Sequence, residues 1–284
     1  MKRRISLLAL LFSLPAMAID LQGHRGARGL LPENTLPAFE RAIALGVTTL
    51  ELDVGVTRDD VVVIHHDRTL NPDLARGADG QWVRAPAPAI HSLSFAELQR
   101  YDVGRLRPGS EYAGRLPHQQ AIDGARIPRL TDLFSMAKNV RFNIETKISP
   151  EAPHETLAPE PFARALIAEV RRAGVERRTT IQSFDFRTLK VIEREAPEIA
   201  TAYLTSRRYP DPAKVHEAGA RIWSPDYTVL NEQVVSAARK LNLKIIPWTV
   251  NEPGDIARML ALGVDGIISD YPDRVLAELK RRGR

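Results

Sequence analysis

Three carboxylates, two histidines and an arginine hold most of the reactive chemistry this chain offers. Glu51 and Asp53 lie two residues apart in an apolar run, so strand alternation puts both on one face and Leu50 and Leu52 on the other. Glu145 ends a second such run. Three carboxylates brought together repel unless a cation sits between them. Oxygen ligands without thiolate favour a hard divalent ion, Mg²⁺ or Ca²⁺. Salt-bridged surface acids are the bland alternative, and nearby histidines leave zinc open. His24 and His66 can exchange protons near neutral pH without large pKa shifts. Arg25, beside His24, offers a planar fork suited to a phosphate oxygen. Taken together, these residues describe metal-assisted displacement at a phosphorus centre. The chain has no cysteine, which excludes thiol nucleophiles, thiolate zinc sites and disulfide frameworks.

Residues of this kind must be positioned by a scaffold, and the sequence reads as one. Eight short β-branched or apolar runs occur at 20–24, 48–54, 141–145, 179–183, 200–204, 221–224, 244–249 and 266–269. Segments with helical apolar spacing follow them, and Gly46, Gly174, Pro197, Gly219 and Gly263 stand where helices should stop. Eight strands alternating with eight helices predict an α/β fold, a (β/α)8 TIM barrel. An open doubly wound sheet would more often carry fewer strands and a glycine-rich phosphate loop after the first.

One run, 61–66, is left over. Only Arg58, Asp59 and Asp60 separate it from the strand before, too few for a parallel crossover but enough for a hairpin. A turn centred on Asp59 sets Glu51 opposite Asp67 and Asp53 opposite His65. The barrel therefore carries a β-hairpin extension whose return arm brings His66 and Asp67 to the level of the carboxylates. His65 falls on the face opposite His66 and reads as packing. Residues 68–128 form a small insertion after the hairpin, and 149–161, with four prolines, read as an irregular loop. Both emerge where strands end, the face on which barrels build active sites.

The chain opens with Lys2, Arg3 and Arg4, continues with an apolar run over 5–14 and reaches Ala16-Met17-Ala18. That is the layout of a secretory signal peptide, so residues 1–18 are expected to be removed and 19–284 to act outside the cytoplasm, periplasmic or secreted. The apolar run is shorter than the ~20 residues of a membrane span. Without those first residues the chain has 37 basic and 35 acidic side chains, a net +2, with a basic tail at 280–284. Few aromatics and a near-neutral balance argue against nucleic acid as a partner.

His24-Arg25-Gly26, Pro32-Glu33-Asn34-Thr35, Glu51-Leu52-Asp53-Val54 and His66-Asp67 resemble the glycerophosphodiester phosphodiesterase family. The likeness continues through Asn143-Ile144-Glu145-Thr146-Lys147, Gln182-Ser183-Phe184-Asp185, Trp248-Thr249-Val250-Asn251 and 265–270, in order. The resemblance implies hydrolysis of glycerophosphodiesters to glycerol phosphate and an alcohol. By the family pattern His24 and His66 are the acid–base pair, and Glu51, Asp53 and Glu145 hold one divalent cation. Arg25 and Lys147 bind phosphate, and Phe184 and Trp248 line the glycerol pocket. The attacking group is water or the substrate's own 2-hydroxyl. After His66-Asp67 this chain reads Thr69-Leu70-Asn71-Pro72 where many members have an Arg-Thr-Thr-rich stretch, which leaves the leaving group open. Two alternatives remain. One is a lysophospholipase D, against which the charge-rich Arg105, Arg107, Glu111 and Arg115 count. The other is a binding protein that keeps the site without turnover.

Overall fold

The computed structural model describes residues 19–208 and 211–283, so the expected signal peptide lies outside the described residues. Eight parallel strands alternate with helices around one axis. They are β1 (Asp20–Gly23), β2 (Thr49–Val56), β4 (Arg141–Thr146), β5 (Thr179–Ser183), β6 (Ala200–Thr205), β7 (Ile222–Pro225), β8 (Lys244–Ile245) and β9 (Gly266–Ser269). The ladder runs β8-β7-β6-β5-β4-β2-β1-β9. Single backbone bonds cross the remaining seam, from Asp265 N to Ile245 O at 2.9 Å and from Ile268 N to Pro247 O at 3.0 Å. The barrel is nearly closed, as expected.

Helix ends fall where the sequence signals them. Thr35 caps α1 (Leu36–Leu45) by accepting from Ala38 N, and Gly46 ends it in the left-handed conformation at φ 96°. Helices α5 (Pro159–Ala173) and α9 (Pro253–Leu262) end on Gly174 and Gly263 in the same way. Two expectations need correction. The segment 149–161 is irregular only to Ala158, because Pro159 takes the first position of α5, where a missing N–H costs nothing. Strand β8 is two residues long instead of six, since Pro247 has no N–H for the ladder. The backbone still follows β7, with Trp248 N donating to Pro225 O at 3.0 Å.

The hairpin has the expected register. Strand β3 (Val62–Ile64) pairs antiparallel with β2 through Val54–Ile64, Gly55–Val63 and Val56–Val62, which continues to Asp53 opposite His65. Its alternation ties two cores together. Val62 and Ile64 pack in the main core between barrel and helices. Val63 joins Leu70, Ala75, Ile90, Leu98, Val103 and Ile127 in a small core of the insertion. Burying each such side chain contributes roughly 1.5–3 kcal/mol, so the ribbon is clamped from both sides. The insertion carries two short helices, α2 (Phe95–Leu98) and α3 (Glu111–Arg115), and returns to the barrel where Ile64 N donates to Pro128 O at 2.9 Å.

Candidate active site

Inside the barrel, side chains from alternating positions form layers, and the layer nearest the strand ends is acidic. In the β2–β4 register Glu51 lies opposite Asn143 and Asp53 opposite Glu145. Glu51, Asp53 and Glu145 each turn an oxygen inward, all within 4.8 Å of one another, and all three are buried. Two ionised carboxylates at that separation repel by roughly 3 kcal/mol at an effective dielectric of about 20. Burial, reinforced by Asp53 and Glu145, pushes the Glu51 carboxyl well above the usual range. Burial also raises Glu145, against the pull of Lys147. Asp53 goes the other way: burial opposes its ionisation, but His66, Arg25 and Lys147 together hold it far below the carboxylate range.

The turn after β1 delivers the first histidine and the arginines. Gly26 sits at φ 88°, and a Cβ there would lie 2.7 Å from the Ala38 carbonyl carbon, so only glycine lets the chain turn against α1. Arg25 is itself left-handed at φ 49°, which costs on the order of 1–3 kcal/mol. Its backbone N–H donates to Glu51 Oε2 at 2.9 Å, and its guanidinium donates to Glu33 Oε1 at 2.7 Å and lies 3.2 Å from Asp53 Oδ2. His24 Nδ1 is 2.5 Å from Asp270 Oδ1, and Asn251 Nδ2 donates to the other oxygen of Asp270 at 2.7 Å. Burial depresses the His24 pKa below its usual value even though Asp270 works to raise it. A neutral imidazole donating from Nδ1 to Asp270 presents Nε2 to the cavity, 3.9 Å from Glu51 Oε2.

His66 arrives from the hairpin in matching form. Its Nδ1 donates to Asp67 Oδ1 at 2.8 Å, and Asn71 Nδ2 donates to Asp67 Oδ2 at 2.7 Å. Its Nε2 accepts from the Lys147 ammonium at 3.0 Å, which also donates to Glu145 Oε1 at 2.6 Å. Burial, with Arg25 adding to it, lowers the His66 pKa. His65 is buried, lines no part of this cavity and has no partner on Nε2, in line with its reading as packing.

A cavity of about 200 Å³ opens at this face. Of the nine residues singled out in the sequence, His24, Arg25, Glu51, His66, Glu145, Lys147, Phe184 and Trp248 line it. Asp53 lies just beneath, 1% exposed. Phe184 and Trp248 meet edge to face at 5.4 Å between ring centres and make one wall. The sequence assigned no role to several further groups. Arg28 lines the cavity, 3.4 Å from Glu33 and 3.7 Å from Asp270. Its place three residues after Arg25 in a tight turn was a usable signal. Asn34 Nδ2 donates to Asp53 Oδ2 at 2.9 Å, and Gln182 Nε2 donates to Glu51 Oε1 at 2.8 Å. Tyr112, on α3 of the insertion, donates to Glu33 and stacks beneath Arg28. No sequence pattern marks it, because its contact depends on how the insertion folds back.

Oxygen donors dominate this set, and it fits a hard cation. Five carboxylates, Glu33, Glu51, Asp53, Glu145 and Asp270, face three fixed cations, Arg25, Arg28 and Lys147, an excess of two negative charges if all ionise. Asp53 Oδ1 is buried without a hydrogen-bond donor, a lone pair left for a ligand.

Residues 24–274 match the model of the glycerophosphoryl diester phosphodiesterase family. The chain belongs to this family. A glycerophosphodiester phosphodiesterase of Caldanaerobacter subterraneus is 30% identical over 261 residues, covering 92% of this chain and 97% of its own. The crystal structure of a Silicibacter pomeroyi protein assigned to the glycerophosphoryl diester phosphodiesterases superposes with a TM-score of 0.89 at 35% identity, over 95% of both chains. An Oleispira antarctica phosphodiesterase, solved with its product sn-glycerol-3-phosphate, shares the fold at a TM-score of 0.72 and 23% identity, over 92% of this chain and 96% of its own. The sequence's expectations of family, barrel and phosphodiesterase class all hold.

Proposed function

We propose that this protein hydrolyses glycerophosphodiesters to glycerol phosphate and an alcohol, using two histidines as acid and base and one divalent cation, Mg²⁺ or Ca²⁺. The observation that carries the reading is the convergence of two imidazoles, three cationic side chains and the Glu51–Asp53–Glu145 carboxylate cluster at one small cavity. When bound by Glu51, Asp53 and Glu145, the cation supplies Lewis-acid stabilisation of the phosphate charge. Arg25, Arg28 and Lys147 draw the phosphodiester in and hold its oxygens. One imidazole takes the proton of the attacking hydroxyl, whether water or the substrate's 2-hydroxyl. The other, entering the reaction as the imidazolium with a proton on Nε2, gives that proton to the departing alkoxide as the phosphorus–oxygen bond breaks; where the 2-hydroxyl attacks, water then opens the cyclic phosphate with the two histidine roles exchanged. Asp270 and Asp67 keep each ring turned so that Nε2 faces the phosphorus. Phe184 and Trp248 cover the carbon skeleton of the glycerol.

The decisive assay is incubation with glycerophosphocholine, followed by quantification of glycerol phosphate and choline released together. Turnover of a lysophospholipid with none of glycerophosphocholine would shift the assignment to a lysophospholipase D. Tight binding without products would leave a binding protein. Among the described residues the one large apolar side chain that is well exposed is Phe184, at 45%, a small apolar surface for meeting a lipid bilayer. We further propose that the chain is exported and cleaved after Ala18 to act in the periplasm or outside the cell. An exported protein whose N-terminal sequence starts elsewhere than Ile19 would refute the cleavage site.

A further inference from the structure

A continuous line of side chains crosses the barrel interior below the active site, from Asp20 on β1 to Glu51 on β2. Its polarity is fixed at the lower end. Asp20 Oδ1 accepts from Thr48 Oγ1 at 2.7 Å, Thr49 Oγ1 at 2.7 Å and Arg141 Nη2 at 2.8 Å, and Asp20 Oδ2 accepts from Gln22 Nε2 at 2.9 Å. A carboxylate only accepts, so Gln22 turns its amide nitrogen to Asp20 and its oxygen inward. Asn143 Nδ2 then donates one hydrogen to Gln22 Oε1 at 2.7 Å and the other to Gln182 Oε1 at 2.9 Å. With its oxygen so occupied, Gln182 has only its nitrogen left to face Glu51, and it donates to Oε1 at 2.8 Å. Asn143 is 1% exposed, and its own Oδ1 has no partner. An orphaned buried oxygen is unfavourable. Turning the amide over would instead set that oxygen against two others.

We propose that Asn143 is a positioning residue for the cation site. As the double donor at the centre of this relay, it compels Gln182 to donate to Glu51 and so holds Glu51 as an accepting, cation-ready carboxylate. The inference rests on the metal reading above. Asparagine is suited to the place because one nitrogen supplies both hydrogens. Aspartate, of the same shape, supplies none. In Asn143→Asp both glutamines must turn their nitrogens toward residue 143, and Gln182 then offers an oxygen to Glu51.

The test is calorimetric titration of the metal-stripped protein with Mg²⁺ and with Ca²⁺, alongside a thermal melt that establishes folding. Asn143→Asp should bind at least tenfold more weakly than the parent. Asn143→Leu, which removes both donors without burying a charge, should lose affinity in the same direction and decides the matter if the aspartate variant does not fold. Gln182→Met should lose as much as Asn143→Asp, and the double variant Asn143→Asp/Gln182→Met should be no weaker than Gln182→Met, since the effect passes through Gln182. Parental affinity in folded Asn143 variants, or losses that multiply in the double variant, would overturn the relay while leaving the metal reading intact. A parent protein that binds neither ion would overturn the metal reading itself.

Discussion

His24 stands on the barrel wall, whereas His66 stands on a ribbon outside it. Each has a carboxylate on Nδ1 and presents Nε2 to the cavity, yet the supports differ in kind. Asp270 is fully enclosed at the end of β9 and holds His24 at 2.5 Å, with side-chain exposures of 11% for the imidazole and 5% for the carboxylate. Asp67 holds His66 at 2.8 Å with exposures of 27% and 33%. The first pair is part of the packed scaffold. The second is placed by hairpin register and by the two cores that grip β3. A barrel supplies residues readily at its strand ends, but in this chain the second histidine comes from a platform beyond them. The hairpin provides it.

Removing either imidazole should have the largest effect. His24→Ala and His66→Ala should each lower kcat by roughly 10²–10⁴-fold, as expected for a positioned proton-transfer group. Both should retain a normal melting transition. His65→Ala, which changes a neighbour with no cavity contact, should leave kcat within a few-fold of the parent. A His65 variant as damaged as His66→Ala would show that the wrong hairpin residue has been assigned.

Truncating the carboxylates sharpens the contrast. Asp270→Asn presents an amide where His24 needs an acceptor and should cost about 10²-fold or more in kcat, because no water can replace the lost partner. Asp67→Asn should cost less, since solvent reaches that pair and Asn71 remains beside it. Equal losses would mean that burial does not distinguish the two supports.

Much of this was legible in the chain. Glu51 and Asp53 share a face by strand alternation alone, and the short Arg58-Asp59-Asp60 connection set the hairpin register that brings His66 home. Gly46, Gly174 and Gly263 marked helix ends because the left-handed conformation leaves few alternatives. What escaped depended on long-range packing. Tyr112 reaches Arg25 at 3.2 Å across 87 residues of sequence, and Asp270 reaches His24 across 246. Arg28 and Gln182 were visible as residue types, but their partners are set by how strands are stacked around the barrel. The early end of β8 follows from Pro247, which has no N–H for the ladder although the run around it is apolar.

In the proposed reaction the two histidines work on a phosphate gathered at a cation held by Glu51, Asp53 and Glu145. Its most direct test is glycerophosphocholine turnover by metal-stripped protein as Mg²⁺ or Ca²⁺ is added back, for the parent and for Glu145→Ala. The stripped parent should be inactive, and activity should return with saturating dependence on the ion. Glu145→Ala should fold normally and require a markedly higher ion concentration. Full turnover in excess chelator, or an unchanged ion requirement in Glu145→Ala, would contradict that proposal.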